Sequence, residues 1–318
     1  MLVIEFLILF INNNFYYTMK KILVCSNVYE FCENISIIDK KDLFYTTVSR
    51  FEDNEMCVKI DKFEELQNEN IVVIQSLSNP VNDSLMELIF TLDILNSIGV
   101  KSIELLLTYA GYSRQDRIEN INESFSFKIV ANMLSKPYIS KIYLINVHAM
   151  QTMGFFGVPT VNIEVKDLIC DLIKDKYKNP LLISPDVGNA KTIISLSNKM
   201  NMDYAIAIKY RPQANENKIL SIIGTNVENK DCIIIDDIVD SAGTLCNVAE
   251  RLAKNGANNI IAYITHPVLS SKSYERIKNS YFTKLYVGDT INSKNKVDII
   301  GGKIGVFSVA DYVLERVL

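Results

Sequence analysis

At 318 residues the chain is long for one small domain and suits two of about 150 residues each. Its 48% hydrophobic and 22% charged residues make a globular composition, which excludes an intrinsically disordered or low-complexity protein. A formal net charge of −4 and the lack of any dense Lys/Arg run argue against nucleic acid as the main partner.

Residues 1–11 are nearly all apolar, but the run is too short to span a bilayer and has no basic region before it or small-residue cleavage site after it. Residues 1–18 therefore read as an upstream extension, with Met19 the better start, and no membrane partner is expected. The six cysteines, Cys25, Cys32, Cys57, Cys170, Cys232 and Cys246, show no CxxC pairing, which fits free thiols in a reducing cytoplasm.

A first strand is predicted over 21–26. An acidic turn, Phe51-Glu52-Asp53-Asn54-Glu55, precedes a short strand at 56–60 and on composition alone is a solvated hairpin tip. A buried strand at 71–75 leads to a helix over 84–98, with Asn82 or Asp83 as cap and Gly99 as its stop. The apolar strand 102–108 runs into Tyr109-Ala110-Gly111-Tyr112-Ser113-Arg114-Gln115-Asp116-Arg117. Its arginines follow a strand's carboxyl end, where open α/β sheets put ligands, and their forked guanidinium groups fit the phosphates of a nucleotide. The plain alternative is a solvated polar loop. After a helix at 125–135, the strand 141–147 ends at His148 in NVHAMQTMGFF. That position suits a metal or phosphate ligand, although a lone histidine is more often structural.

Residues 159–164 cross to a second half, where the alternation restarts with a helix at 166–174 and a strand at 181–184. Pro185-Asp186-Val187-Gly188-Asn189 is then a strand-to-helix turn with an acid and a glycine, a candidate phosphate cradle. Strand 204–209 enters KYRPQANE, where Lys209 and Arg211, two apart on extended backbone, can face one target. The most informative string is DCIIIDDIVDSAGTL, residues 231–245. Its apolar run 232–235 reads as a buried strand with Asp236 and Asp237 at its end, and the small residues 240–244 open a helix through Leu245, Val248, Ala249 and Leu252. Such a turn offers free N–H groups and the positive end of a helix dipole to an anion. The paired acids suit hydroxyls or a divalent cation, so the string points to a sugar phosphate. Asp240 or Ser241 as an ordinary N-cap would explain one polar residue and not the string. A strand at 259–265, a helix at 271–278, a strand at 284–287 and an amphipathic helix at 308–317 complete the chain; His266 reads as structural.

The segments VIQSLSNPVNDSLMELIFTLDIL, YAGYSRQDR, NVHAMQTMGFF, SPDVGNAK, KYRPQANE and DDIVDSAGT stand in the order found in ribose-phosphate pyrophosphokinases, a resemblance covering roughly residues 20–318. The resemblance implies an α/β fold of two tandem phosphoribosyltransferase-like domains, each with a central, mostly parallel five-stranded sheet flanked by helices. Residues 19–163 would form the ATP side and 164–306 the ribose 5-phosphate side, with the C-terminal helix 307–318 a candidate to pack on the first domain.

Further roles follow from the resemblance by matched position. Phe51, Asp53 and Glu55 fall on an adenine-contacting hairpin, FSDGE in the family, that a neighbouring subunit supplies; this implies self-association as a dimer-based hexamer. Arg114, Gln115 and Glu119 fall among ATP contacts, and His148 and Asp186 at the Mg-ATP site. Asp186, Val187, Gly188 and Asn189 form the pyrophosphate loop, while Lys209 and Arg211 lie in the catalytic flexible loop. Asp236 and Asp237 match residues that bind the ribose hydroxyls and the metal; Asp240, Ser241, Ala242, Gly243 and Thr244 match the 5′-phosphate cradle. The implied reaction carries the diphosphoryl group of ATP, with Mg²⁺, to the 1-hydroxyl of ribose 5-phosphate in the cytoplasm. The chain departs from the family at Glu52 and Asn54, at residues 118–122, at Asn189 and in lacking a serine-containing tail; weak dependence on phosphate is expected from the second and last of these. Two rivals are a phosphoribosyltransferase, which shares the 236–244 loop but not this length, and a non-catalytic pyrophosphokinase-like regulatory subunit. Intact Lys209, Arg211, His148, Asp236 and Asp237 disfavour the latter.

Overall fold

The computed structural model describes residues 20–118, 120–210 and 219–318. Aliphatic and β-branched runs form parallel strands covered on both faces, as at Ile71, Val72, Val73 and Ile74, all essentially inaccessible. The first sheet contains β1 (Lys21–Val24), β2 (Leu43–Arg50), β3 (Met56–Ile60), β4 (Asn70–Ser76), β5 (Ser102–Tyr109), β6 (Ile139–Ile145) and β7 (Thr160–Ile163). The second contains β8 (Pro180–Ser184), β9 (Tyr204–Tyr210), β10 (Ile219–Gly224), β11 (Asp231–Val239), β12 (Asn259–Pro267), β13 (Lys284–Gly288) and β14 (Ile304–Phe307). The spatial orders, β3-β2-β1-β4-β5-β6-β7 and β10-β9-β8-β11-β12-β13-β14, are the same arrangement used twice. Among the described residues only the β2–β3 and β9–β10 pairs are antiparallel.

Each sheet thus has seven strands among the described residues, not the expected five. β3 falls on the strand read at 56–60, whereas β2 and the four-residue edges β7 and β14 escape a sequence reading; an edge strand is solvated on one side and shows no sustained apolar run. Residues 159–164, expected to cross between the halves, hold β7 instead.

The helices are α1 (Tyr29–Glu33), α2 (Val81–Ser97), α3 (Ser126–Leu134), α4 (Lys166–Ile173), α5 (Ala190–Met200), α6 (Gly243–Lys254), α7 (Ser271–Lys278), α8 (Lys294–Ile300) and α9 (Ala310–Val317). α2 begins directly after Pro80 with no side-chain cap; Asn82 and Asp83 lie in its first turn and bond to Tyr112 and Arg50. Apolar stripes of α2 and α3, among them Leu88, Leu92, Phe127 and Leu134, cover one face of the first sheet. α6 contributes Leu245, Val248, Ala249 and Leu252 to the matching cover of the second.

The remaining apolar cluster belongs to both halves. Ile22, Val24 and Ile74 join Leu182, Ile233 and Ile261, with Val313, Leu314 and Val317 of α9. α9 also meets the first half through Lys20 Nζ, which donates to the Val317 carbonyl at 2.6 Å, and through Asp311, which accepts from the Ser36 N–H at 2.8 Å.

Polar groups along the same seam, some of them buried, find hydrogen-bond partners there. Glu30 of α1 accepts from the Ser293 and Lys294 N–H groups at the start of α8, at 2.9 and 3.2 Å. Asp289 accepts from Asn34 Nδ2 and from the Val309 N–H, each at 2.8 Å. The Thr290 carbonyl accepts from the Thr108 hydroxyl at 2.7 Å, and His266 Nε2 lies 2.9 Å from the Ile145 carbonyl oxygen. No helix among the described residues is long and apolar enough to cross a membrane.

Candidate active site

In open α/β sheets, ligands bind beyond the carboxyl ends of the strands where the strand order reverses. In the second sheet that point lies between β8 and β11. The acids of the richest motif stand further inside than expected: β11 continues through Asp236 and Asp237 to Val239. The reason is β12, which runs on to Pro267 and keeps β11 paired, with Asp236 opposite Ile264 and Val239 opposite Pro267. The chain then turns through Asp240, Ser241 and Ala242, which takes a left-handed φ of +58°, and α6 starts at Gly243 without a side-chain cap. The ordinary-cap alternative is therefore not realised, and Asp240 turns its carboxylate to Arg114.

The turn after β8 faces this one. Ser184 Oγ donates to the Asp186 carbonyl at 2.7 Å, and the Asn189 N–H to Asp186 Oδ1 at 3.0 Å. Asn189 Nδ2 donates to the Ile235 carbonyl at 2.7 Å, tying this turn to β11. With φ at −87°, Asn189 needs none of glycine's conformational freedom.

The corresponding crevice of the first sheet, between β1 and β4, is filled from within. Asn27 Nδ2 lies 2.9 Å from both the Ser78 and the Ser84 hydroxyl oxygens. The buried carboxylate of Glu87 accepts from the Ser26 N–H at 2.8 Å, the Thr46 hydroxyl at 2.6 Å and Gln75 Nε2 at 3.1 Å. The first half reaches the site instead through the loops after β5 and β6.

In the β5 loop, a Cβ on Gly111 would lie 2.3 Å from the Leu77 carbonyl oxygen, so only glycine fits there. Arg114 Nη1 bonds Asp240 Oδ2 at 2.7 Å, and His148, after β6, bonds Asp237 Oδ2 through Nδ1 at 2.6 Å. The bond to Asp237 raises the His148 imidazole above its ordinary value, against desolvation. Burial opposes charge on Asp237, but the bond and charge of His148 together with the Asp236 hydrogen bond outweigh it and hold that carboxyl low. Burial, reinforced by Asp237, pushes Asp236 well above the usual carboxylate range.

A cavity of about 790 Å³ brings together Arg117, His148, Asp186, Gly188, Asn189, Asp236 and Asp237. A second, of about 530 Å³, shares His148 and adds Arg114, Gln115 and Asp116. Among the described residues no group of three or more His, Cys, Asp or Glu side chains forms a ready metal cage. The cavity's carboxylates nevertheless fit Mg²⁺, which binds through one or two carboxylates together with substrate phosphates and keeps several waters.

Phe51, Asp53 and Glu55 line neither cavity. They sit at the tip between β2 and β3, where the Phe51 N–H donates to the Glu55 carbonyl and the Glu55 N–H to Asp53 Oδ1, both at 3.0 Å. Asn54 supplies the left-handed turn position, φ +69°, which asparagine tolerates better than most residues. Val187 is exposed. Lys209 lies in β9 opposite Leu220 of β10. Glu119, Arg211 and the 1–18 extension lie outside the described residues. Sequence reasoning passed over Arg276 of α7, whose Nη1 donates to the Ser241 carbonyl at 2.9 Å, because nothing around it in the chain marks it.

A family model for the N-terminal domain of ribose phosphate pyrophosphokinase matches residues 20–137, and one for a phosphoribosyl transferase domain matches residues 158–300. The chain is 38% identical over 289 residues to the ribose-phosphate pyrophosphokinase of Campylobacter jejuni, covering 91% of this chain and 92% of that one. It is 38% identical over 274 residues to that of Mesorhizobium japonicum, covering 85% and 87%. With that of Burkholderia pseudomallei it shares 42% identity over 246 residues, covering 77% and 76%. In fold it is similar to the crystal structure of phosphoribosylpyrophosphate synthetase from Mycobacterium smegmatis, with a TM-score of 0.82 at 24% identity, covering 94% and 98% of the two chains. With this length of similarity carried by both halves, the chain belongs to the ribose-phosphate pyrophosphokinase family.

Proposed function

We propose that the protein is a ribose-phosphate diphosphokinase, moving the β,γ-diphosphoryl group of ATP to the 1-hydroxyl of ribose 5-phosphate and releasing AMP. The observation that carries this reading is the cavity between the halves, where His148 of one meets Asp186, Asp236 and Asp237 of the other. Its two walls suit two substrates. The turn of residues 240–244 and the start of α6 would take the 5′-phosphate, with Asp236 and Asp237 holding the ribose hydroxyls. The 186–189 turn, bonded to β11 by Asn189, would receive the diphosphate beside C1 of the sugar.

ATP would lie along Arg114, Gln115, Glu119 and His148, with residues 19–163 as the ATP-binding half and 164–306 as the ribose 5-phosphate half. Asp186, Asp236, Asp237 and His148 would hold Mg²⁺, which supplies charge neutralisation to the phosphates when bound. Phe51, Asp53 and Glu55 stand away from their own cavity, so they would serve the ATP site of a neighbouring copy; a dimer-based hexamer satisfies that need. A cytoplasmic location follows for an enzyme that draws on the nucleotide pool. Little covalent work falls to the chain, and its contribution is alignment of the 1-hydroxyl with the β-phosphorus and stabilisation of the moving charge. Lys209 and Arg211 are the cations proposed for that last role.

The test is AMP release by protein beginning at Met19, supplied with ATP, Mg²⁺ and ribose 5-phosphate, beside the Lys209→Ala variant. Release should require ribose 5-phosphate and fall on the order of 10³-fold in the variant. A folded wild type that releases no AMP over a range of Mg²⁺ and phosphate overturns the reading.

A further inference from the structure

We propose that Arg276 is a positioning residue of the phosphate cradle: from α7 it fixes the orientation of the Ser241–Ala242 peptide and so aims the Ala242 N–H at the ligand's phosphate. The proposal rests on the reading above only for the identity of that ligand. Arg276 Nη1 donates to the Ser241 carbonyl at 2.9 Å. A peptide unit is planar and trans, so its C=O and N–H point in opposite directions. Drawing the carbonyl towards α7 therefore turns the Ala242 N–H to the other side of the loop. Among the described residues no backbone acceptor takes that N–H.

The backbone dihedrals show why an outside hold is useful. Ala242 is left-handed, with φ +58°, a region that a residue with a Cβ rarely adopts. Turning the 241–242 peptide over would return Ala242 to negative φ and relieve that strain. It would also direct a carbonyl oxygen, instead of an N–H, at an incoming phosphate. The guanidinium bond opposes the flip. The next residue makes room for it: a Cβ on Gly243 would lie 3.3 Å from Arg276 Nη1. Behind the loop, Arg276, Gly243, Glu250 and Asn279 line an open groove of about 290 Å³, so truncating the arginine admits water and leaves no void in a packed core.

The test compares Arg276→Ala and Arg276→Lys with wild type, and uses Lys278→Ala, an exposed charge on the same helix, as control. In Arg276→Ala, ribose 5-phosphate KM and the Kd from calorimetry should each rise about tenfold, the scale of one hydrogen bond from a charged donor. ATP KM and kcat should stay within about twofold, Arg276→Lys should recover part of the affinity, and Lys278→Ala should match wild type. Unchanged ribose 5-phosphate affinity in Arg276→Ala, or an equal rise in ATP KM, overturns the proposal while leaving the pyrophosphokinase reading intact. A wild type that binds ribose 5-phosphate without releasing AMP removes that reading and leaves the calorimetric comparison decisive. A wild type that does not bind ribose 5-phosphate overturns both.

Discussion

His266→Gln tests how acid acts on the seam between the halves. The imidazole is fully buried, with Nε2 2.9 Å from the Ile145 carbonyl oxygen, Nδ1 2.9 Å from the Thr290 hydroxyl and the ring 5.2 Å from that of Tyr109. Desolvation pushes it down to about 4 from an ordinary 6.5. Between those values the unfolded chain binds a proton that the folded one does not, so stability is full above pH 6.5 and is lost as pH falls towards 4. The difference corresponds to about 3 kcal/mol below both values, of which about 2 kcal/mol is lost by pH 5. Glutamine keeps an N–H donor for Ile145 but does not titrate. The variant should be less stable at pH 7.5 through poorer packing, yet lose about 2 kcal/mol less than wild type between pH 7.5 and pH 5. Urea unfolding at pH 7.5, 6 and 5 measures both slopes. His148, whose shift has the opposite sign, is present in both proteins and cancels from the comparison. Equal pH slopes for the two proteins would refute the reasoning.

Gly111→Ala places a methyl group 2.3 Å from the Leu77 carbonyl oxygen, backbone that has little room to move. A loss of about 1–3 kcal/mol in chemical denaturation, with a raised ATP KM from displacement of the Arg114 loop, is expected; unchanged values of both would contradict the contact. The Arg114–Asp240 pair retains 48% and 31% side-chain exposure, so a double-mutant cycle on stability without substrates should give a coupling below about 1 kcal/mol. The same substitutions should impair turnover far more, and a large coupling in the substrate-free protein would recast the pair as a structural bridge.

The candidate site was legible in proportion to how local its chemistry is. Asp236, Asp237 and the 240–244 turn announce themselves because an apolar run, two acids and a helix start adjoin in the chain. The extension of β11 through the acids was hidden because it depends on β12, a separate segment. Likewise, no local pattern could join His148 to Asp237, 89 residues apart, or Arg114 to Asp240, 126 apart. Nor does any local pattern mark Glu30, which receives the first N–H groups of a helix from the other half. Asn54 shows the reverse case: a substitution that looked awkward in a glycine position fits because asparagine can adopt a left-handed φ of +69°.

The filled crevice of the first sheet has a consequence for where conformational freedom is spent. Between β1 and β4 the polar groups already have partners in Asn27 and Glu87, so a ligand arriving elsewhere finds no loose turn there to organise. Between β8 and β11 the crevice opens into the cavity that holds Asp186, Asn189, Asp236 and Asp237. One frame, built twice, thus supplies a prearranged abutment and a receptive partner. On the proposed reading, the entropic cost of ordering around a sugar phosphate falls on the second crevice, while the first half presents Arg114 and His148 from a base already tied by its own hydrogen bonds.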